Sequence, residues 1–221
     1  MDEKVKIKVE KFLQNLKKIF GERIKSCVLY GSCVKGNYRE GLSDINVIVV
    51  LDRFERRDIY EVRNKVSRYA RKNFIRPFFF SEWFLLSSSD VFPVEWLDIK
   101  ENHIIFYGDD IIKKVEVNRE NLRLEIERKL KQLYLDFQIS LVFEKENIQL
   151  LGEIFKNLRF LIPLIERQFG EGVDIPETLK NFEERRRFNK GEIEQISEVL
   201  LKFFEGLILK IDRTDKNGGE R

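Results

Sequence analysis

Cysteine and histidine are nearly missing from this chain of 221 residues, which has two Cys, Cys27 and Cys33, and one His, His103. Two cysteines build neither a disulfide framework nor an all-cysteine zinc site, and their spacing is not that of a Cys-x-x-Cys redox pair. Cys27 reads as a core residue and Cys33 as a loop residue. A lone His, placed in the polar turn from Lys100 to His103, excludes a His-rich metal centre and argues against a His-based triad. Long apolar runs are missing too. None approaches the roughly 20 residues of a membrane span, and no apolar segment follows Met1-Asp2-Glu3-Lys4, so neither a membrane partner nor a secretory leader is expected. The expected address is the cytoplasm. Charge of one sign is also lacking: 41 Lys and Arg stand against 38 Asp and Glu, a net +3 with pI near 8.7. So mild a balance permits a nucleotide partner but does not support a nucleic acid.

What is present describes a folded protein. Hydrophobic residues make up 43% and charged residues 36%, which excludes disorder for the chain as a whole. The length suits one large domain or two small ones. The richness in Lys, Glu, Ile and Phe is a balance seen in proteins from hot environments.

The chain divides by pattern. Glu3 to Phe20 carries Val5, Val9, Phe12, Leu13, Leu16 and Ile19 at helical spacing and stops at Gly21. Ile24 to Tyr30 reads as a strand, followed by the turn signal Gly31-Ser32 and one or two helical turns over 33–38. After the loop 39–43, Asp44 opens a Val- and Ile-rich run, Ile45 to Leu51, typical of a buried strand. Arg57 to Lys72 is an amphipathic helix and Pro77 to Phe80 a third strand. Ser81 suits the N-cap of a short helix reaching Leu86. Val94 to Ile99 reads as a fourth strand and Ile104 to Tyr107 as a fifth. Strands alternating with helices predict an α/β (α+β) domain with a mixed sheet over residues 1–112.

Residues 113–213 read as helix throughout. Leu122, Ile126, Leu130, Leu133, Phe137 and Leu141 lie three or four apart on a helix that Asn118 can cap. A second helix covers about Asn147 to Phe169, with a kink expected at Pro163. A third starts near Pro176 and ends near Phe188, and a fourth runs from Lys190 to Ile211. Short connections predict an antiparallel, all-α bundle. Residues 214–221 are polar and read as a flexible tail. The run Arg185-Arg186-Arg187 is the solvated face of a charged helix on this reading. Phe78 to Phe80 and Trp83 are explained by a buried strand and the helix after it.

The chemistry concentrates between Leu29 and Asn46. A strand ends at Gly31-Ser32, where Gly lets a ligand approach the backbone and the Ser hydroxyl with nearby amides suits phosphate oxygens. Asp44 stands at the start of the next strand, and Asp44 and Asn46 share one face because strand side chains alternate. An acid at position 46 would complete a pair of carboxylates for Mg²⁺ beside a phosphate cradle.

Leu29-Tyr30-Gly31-Ser32, then Gly41-Leu42-Ser43-Asp44-Ile45-Asn46, resembles the nucleotidyltransferase superfamily typified by DNA polymerase β and the antibiotic nucleotidyltransferases. Its pattern is an apolar residue, Gly, and Gly or Ser; ten or so residues; then Asp, an apolar residue and Asp or Glu, with a third acid on a later strand. With Phe92 to Lys100, Phe106-Tyr107-Gly108 and the helical tail, the chain is also similar to stand-alone prokaryotic predicted nucleotidyltransferases with a helical C-terminal domain. The resemblance implies transfer of a nucleoside monophosphate from an NTP to an acceptor hydroxyl, with Mg²⁺ or Mn²⁺. It implies Asp44, Asn46 and Glu95 as metal ligands, with Asp44 and Glu95 catalytic. Gly31, Ser32, Lys35 and Ser43 would bind the nucleotide. Asp98 competes with Glu95 for the third acid; on a regular strand the two would face opposite sides. The helical domain would cover the cleft and shape the acceptor site.

Two departures from the pattern bear on this. Asn46 replaces the second acid and offers a neutral carbonyl oxygen where Mg²⁺ prefers an anionic one. Cys33 stands where many members carry Arg, leaving Lys35 to supply positive charge. An alternative function follows: a catalytically inactive module on the same fold that binds a nucleotide or a protein partner, antitoxin-like, through its helical half. A homodimer through the long helices is a further expectation.

Overall fold

The computed structural model describes the chain except residues 1, 144–147, 171, 181–187 and 219–221, and it divides into two units, 1–118 and 119–221. Among the described residues no helix is long and apolar enough to cross a membrane.

The first unit opens with helix α1, Glu3–Phe20. The Asp2 carboxylate caps it by accepting the backbone N–H of Lys4 at 2.7 Å, and Gly21, at φ +53°, ends it. Then follow strand β1 (Ile24–Tyr30), the short helix α2 (Ser32–Lys35) and strand β2 (Ile45–Leu51). Helices α3 (Arg56–Lys65) and α4 (Ser67–Lys72) lead into strand β3 (Ile75–Ser81). Helices α5 (Glu82–Ser87) and α6 (Pro93–Glu101) precede strand β4 (His103–Gly108).

The four strands lie in the order β3-β2-β1-β4. β1 is antiparallel to both β2 and β4, whereas β2 and β3 run parallel, so the sheet is mixed. β2 is central and covered on both faces; Asn46 is its one residue that is not fully buried. On one face Cys27, Leu29, Ile45, Val47, Val49 and Leu51 pack against Val5, Val9, Phe12 and Leu16 of α1. On the other, Val28, Ile48 and Val50 pack against Leu85, Trp96, Ile99, Ile111 and Ile112. This two-sided core explains the continuous β-branched run in the sequence. A bidentate ion pair ties the base of β1 to α3: the Arg23 guanidinium lies 2.6 Å and 3.2 Å from the two carboxylate oxygens of buried Asp58.

Three expectations are corrected here. Val94 to Ile99, read as a strand, is helical and belongs to α6. Pro93 at the first helical position fixes the entry φ, and of the residues that follow only Val94 and Ile99 are β-branched. The helix expected over 57–72 is two helices that break at buried Val66, φ −120°. Ser81 precedes α5 with extended backbone but makes no side-chain capping bond.

The second unit is helical: α7 (Arg119–Phe143), α8 (Ile148–Phe169), α9 (Glu177–Lys180) and α10 (Lys190–Gly218). Its core joins Ile126, Leu130 and Phe137 of α7, Leu151, Leu158 and Ile165 of α8, and Leu200, Phe204 and Ile211 of α10. The rings of Tyr134 and Phe137 lie 5.7 Å and 6.2 Å from Phe204. Pro163 lies inside α8. The arginine run 185–187 lies outside the described residues. The polar segment from Thr214 falls partly in α10 and partly outside them.

Candidate functional site

The site grows from the end of β1 in the first unit. Tyr30 is the last strand residue, and Gly31 turns the chain into α2 at φ +77°, ψ −148°. A Cβ at position 31 would lie 2.8 Å from the Asn46 Nδ2, closer than side chains approach. The backbone conformation is what calls for Gly here, and any larger residue would also have to push the end of the Asn46 side chain aside. The turn is closed by the amides of Val34 and Lys35, both donating to the Gly31 carbonyl at 3.0 Å. Cys33 is buried beneath it and its thiol donates to the Tyr30 carbonyl at 3.3 Å. Burial pushes the Cys33 thiol up, partly offset by backbone amides that include that of Asn46.

Asn46 is the hub. It pairs with Tyr30 across the antiparallel β1–β2 ladder and with Arg76 across the parallel β2–β3 ladder; His103 pairs with Tyr30 from β4. Arg76, Asn46, Tyr30 and His103 thus form one row across all four strands, neighbours about 4.8 Å apart. Asp44, just ahead of β2, is exposed, and the Arg76 guanidinium lies 3.6 Å from its carboxylate. Burial raises the Tyr30 hydroxyl, and the Arg76 charge opposes that shift. Asp44 and Arg76 also line a 480 Å³ pocket with Phe12, Val66, Arg71 and Phe74. Phe74 takes φ +56°, the one non-glycine residue at positive φ among those described.

The other expected site residues are placed as follows. Ser32 opens α2 beside Gly31 and is half-buried. The Ser43 hydroxyl accepts the Arg39 backbone N–H at 3.1 Å and so closes the loop ahead of Asp44. The Lys35 ammonium lies 2.5 Å from Asp98, which straps α2 to α6 and engages its charge within the protein. Glu95 lies in the first turn of α6, half-buried. Because this segment is a helix, Glu95 and Asp98 are three apart on neighbouring positions of one helix surface; the strand alternation that would have opposed them does not apply. His103 serves its own corner: its Nδ1 lies 2.9 Å from the Ile99 carbonyl and its Nε2 3.2 Å from Asp110.

Two divalent metals would need clustered carboxylates. Asp44 stands just ahead of the row, its neighbour at 46 is an amide, and the strand beside β2 presents Arg76. Among the described residues no three His, Cys, Asp or Glu side chains are grouped to hold a metal. A two-metal centre does not fit this set. Sequence reasoning missed Arg76 and Tyr30. Pro77 marked the third strand, but which residue of it meets Asn46 depends on register, which a single sequence does not display.

The nucleotidyltransferase domain model matches residues 9–203. A solved structure of spectinomycin adenyltransferase AAD(9) from Enterococcus faecalis, with ATP and spectinomycin, shares the fold at a TM-score of 0.51 and 13% identity, covering 95% of this chain and 97% of that one. No curated protein matches.

Proposed function

Because the chain belongs to the nucleotidyltransferase domain family, we propose that its site binds a nucleoside triphosphate without the family's two-metal chemistry. The observation that carries this is the meeting of Asp44, Asn46 and Arg76 beside the Gly31-Ser32 turn. Arg76 and the Ser32 hydroxyl supply donors for phosphate oxygens, and Asn46 supplies an amide that both donates and accepts. The solved relative was obtained with ATP, which agrees with a nucleotide as ligand.

The test is calorimetric titration with ATP, GTP, CTP and UTP. Saturable binding of at least one is expected. No binding of any, with or without Mg²⁺, overturns the proposal.

A second reading is transfer of a nucleoside monophosphate to an acceptor hydroxyl. Asp44 favours it, because that acid stands ahead of β2 where the family pattern opens its acid pair. The family match supports nucleotidyl transfer in general, whereas among the described residues no three His, Cys, Asp or Glu side chains are grouped to complete a metal set. Incubation with α-phosphate-labelled NTPs separates the two: label moving onto a candidate acceptor, and stopping in Asp44→Ala, establishes transfer.

A further inference from the structure

We propose that the Arg76 guanidinium takes over the charge-neutralising role of the divalent cations, so that this site binds nucleotide phosphates independently of metal. The inference rests on the nucleotide reading of the same site.

Three observations support it. The first is position. β2 and β3 run parallel with Asn46 beside Arg76, so the residue on the adjoining strand that shares the site's face is a cation. The second is contact. The guanidinium lies 3.6 Å from Asp44, the acid that opens the Asp-x-Asn pair. The third is exposure. The Arg76 side chain is 69% exposed and its pair with Asp44 is correspondingly weak, so the guanidinium is available to an incoming anion.

At the row itself Asp44 is the carboxylate beside Arg76, and the guanidinium opposes a cation approaching it. Guanidinium is also well matched to phosphate, since its planar fork donates two parallel N–H bonds to a pair of phosphate oxygens. Asn46 completes the change: a carboxylate there would repel the phosphate once the metals were gone, whereas an amide can donate to it.

The experiment titrates the full chain with ATP in EDTA and again in Mg²⁺, and repeats both with Arg76→Ala and Arg76→Lys. Affinities within about twofold of each other in EDTA and Mg²⁺ are expected, with a loss of roughly 10-fold or more in Arg76→Ala, the scale of one charge-assisted hydrogen bond. Arg76→Lys should recover part of it. The double variant Asn46→Asp/Arg76→Glu should acquire Mn²⁺ binding, read by the loss of the free-Mn²⁺ paramagnetic resonance signal, while the unaltered chain shows none. ATP binding that appears only with Mg²⁺ overturns this inference and leaves the nucleotide reading standing. EDTA-resistant binding unchanged in Arg76→Ala also overturns it. Absence of binding under every condition overturns the nucleotide reading itself.

Discussion

Arg76 is the lateral neighbour of Asn46 across the parallel β2–β3 pair, so a cation and an amide stand side by side at the mouth of the sheet. Neither residue is unusual alone. With Asp44, 3.6 Å from the guanidinium, they set an exposed cation, an amide and a carboxylate beside the Gly31-Ser32 turn.

The Gly31–Asn46 contact predicts a coupled pair. Gly31→Ala forces a Cβ to 2.8 Å from the Asn46 amide and places Ala at φ +77°. A loss of about 1–3 kcal/mol is expected from backbone strain and the clash. Asn46→Ala in the same chain should restore the part due to the clash and leave the strain. Urea denaturation of the two single variants and the double measures this; strictly additive effects contradict the contact.

The Arg23–Asp58 pair predicts acid sensitivity. Burial pushes the Asp58 carboxyl up, but the Arg23 guanidinium and the Glu55 backbone amide outweigh it and hold the group below the usual carboxylate range. A depressed folded value means stability that is present above the unfolded pKa, about 3.9, and lost as pH falls through the folded value. Asp58→Asn should therefore flatten the acid limb of the stability curve below about pH 4. Asp58→Ala should cost about 1–3 kcal/mol near neutrality, since it removes a charge-assisted pair from the partly exposed Arg23. Thermal melts across pH test both.

Phe74 predicts an inverted order of substitution. At φ +56° a side chain costs about 1 kcal/mol that glycine does not. Phe74→Gly should therefore be more stable than Phe74→Ala, although glycine ordinarily destabilises. Chemical denaturation of the two variants decides it; Ala above Gly contradicts the backbone assignment.

The cysteines predict inert thiols. Burial pushes the Cys27 thiol up to about 12 and raises Cys33 as well. Reaction with a disulfide reagent at pH 8 should be slow for both in the native chain and rapid for both in denaturant. Fast native labelling of either contradicts their burial.

Much of the fold could be read from local pattern. β1, β2 and the helices α1, α7 and α8 announce themselves by periodicity and by the residues that bound them, because burial on one or both faces imposes a period. Val94 to Ile99 misled because a short apolar segment suits either structure, and Pro93 was the signal that decided it. At the site, Gly31, Ser32, Asp44 and Asn46 are close in sequence and were legible as a unit. Arg76 is some thirty residues further on and meets Asn46 only through the parallel register. The Lys35–Asp98 pair, 2.5 Å across α2 and α6, likewise joins residues far apart in sequence.

The most direct measurement is a calorimetric titration of the unaltered chain with ATP in EDTA at low salt. Saturable heat of binding, changed by no more than about twofold when Mg²⁺ replaces EDTA, is the predicted result. Binding that appears only when Mg²⁺ is added would contradict a site neutralised by Arg76, and no binding under either condition would contradict the nucleotide site altogether.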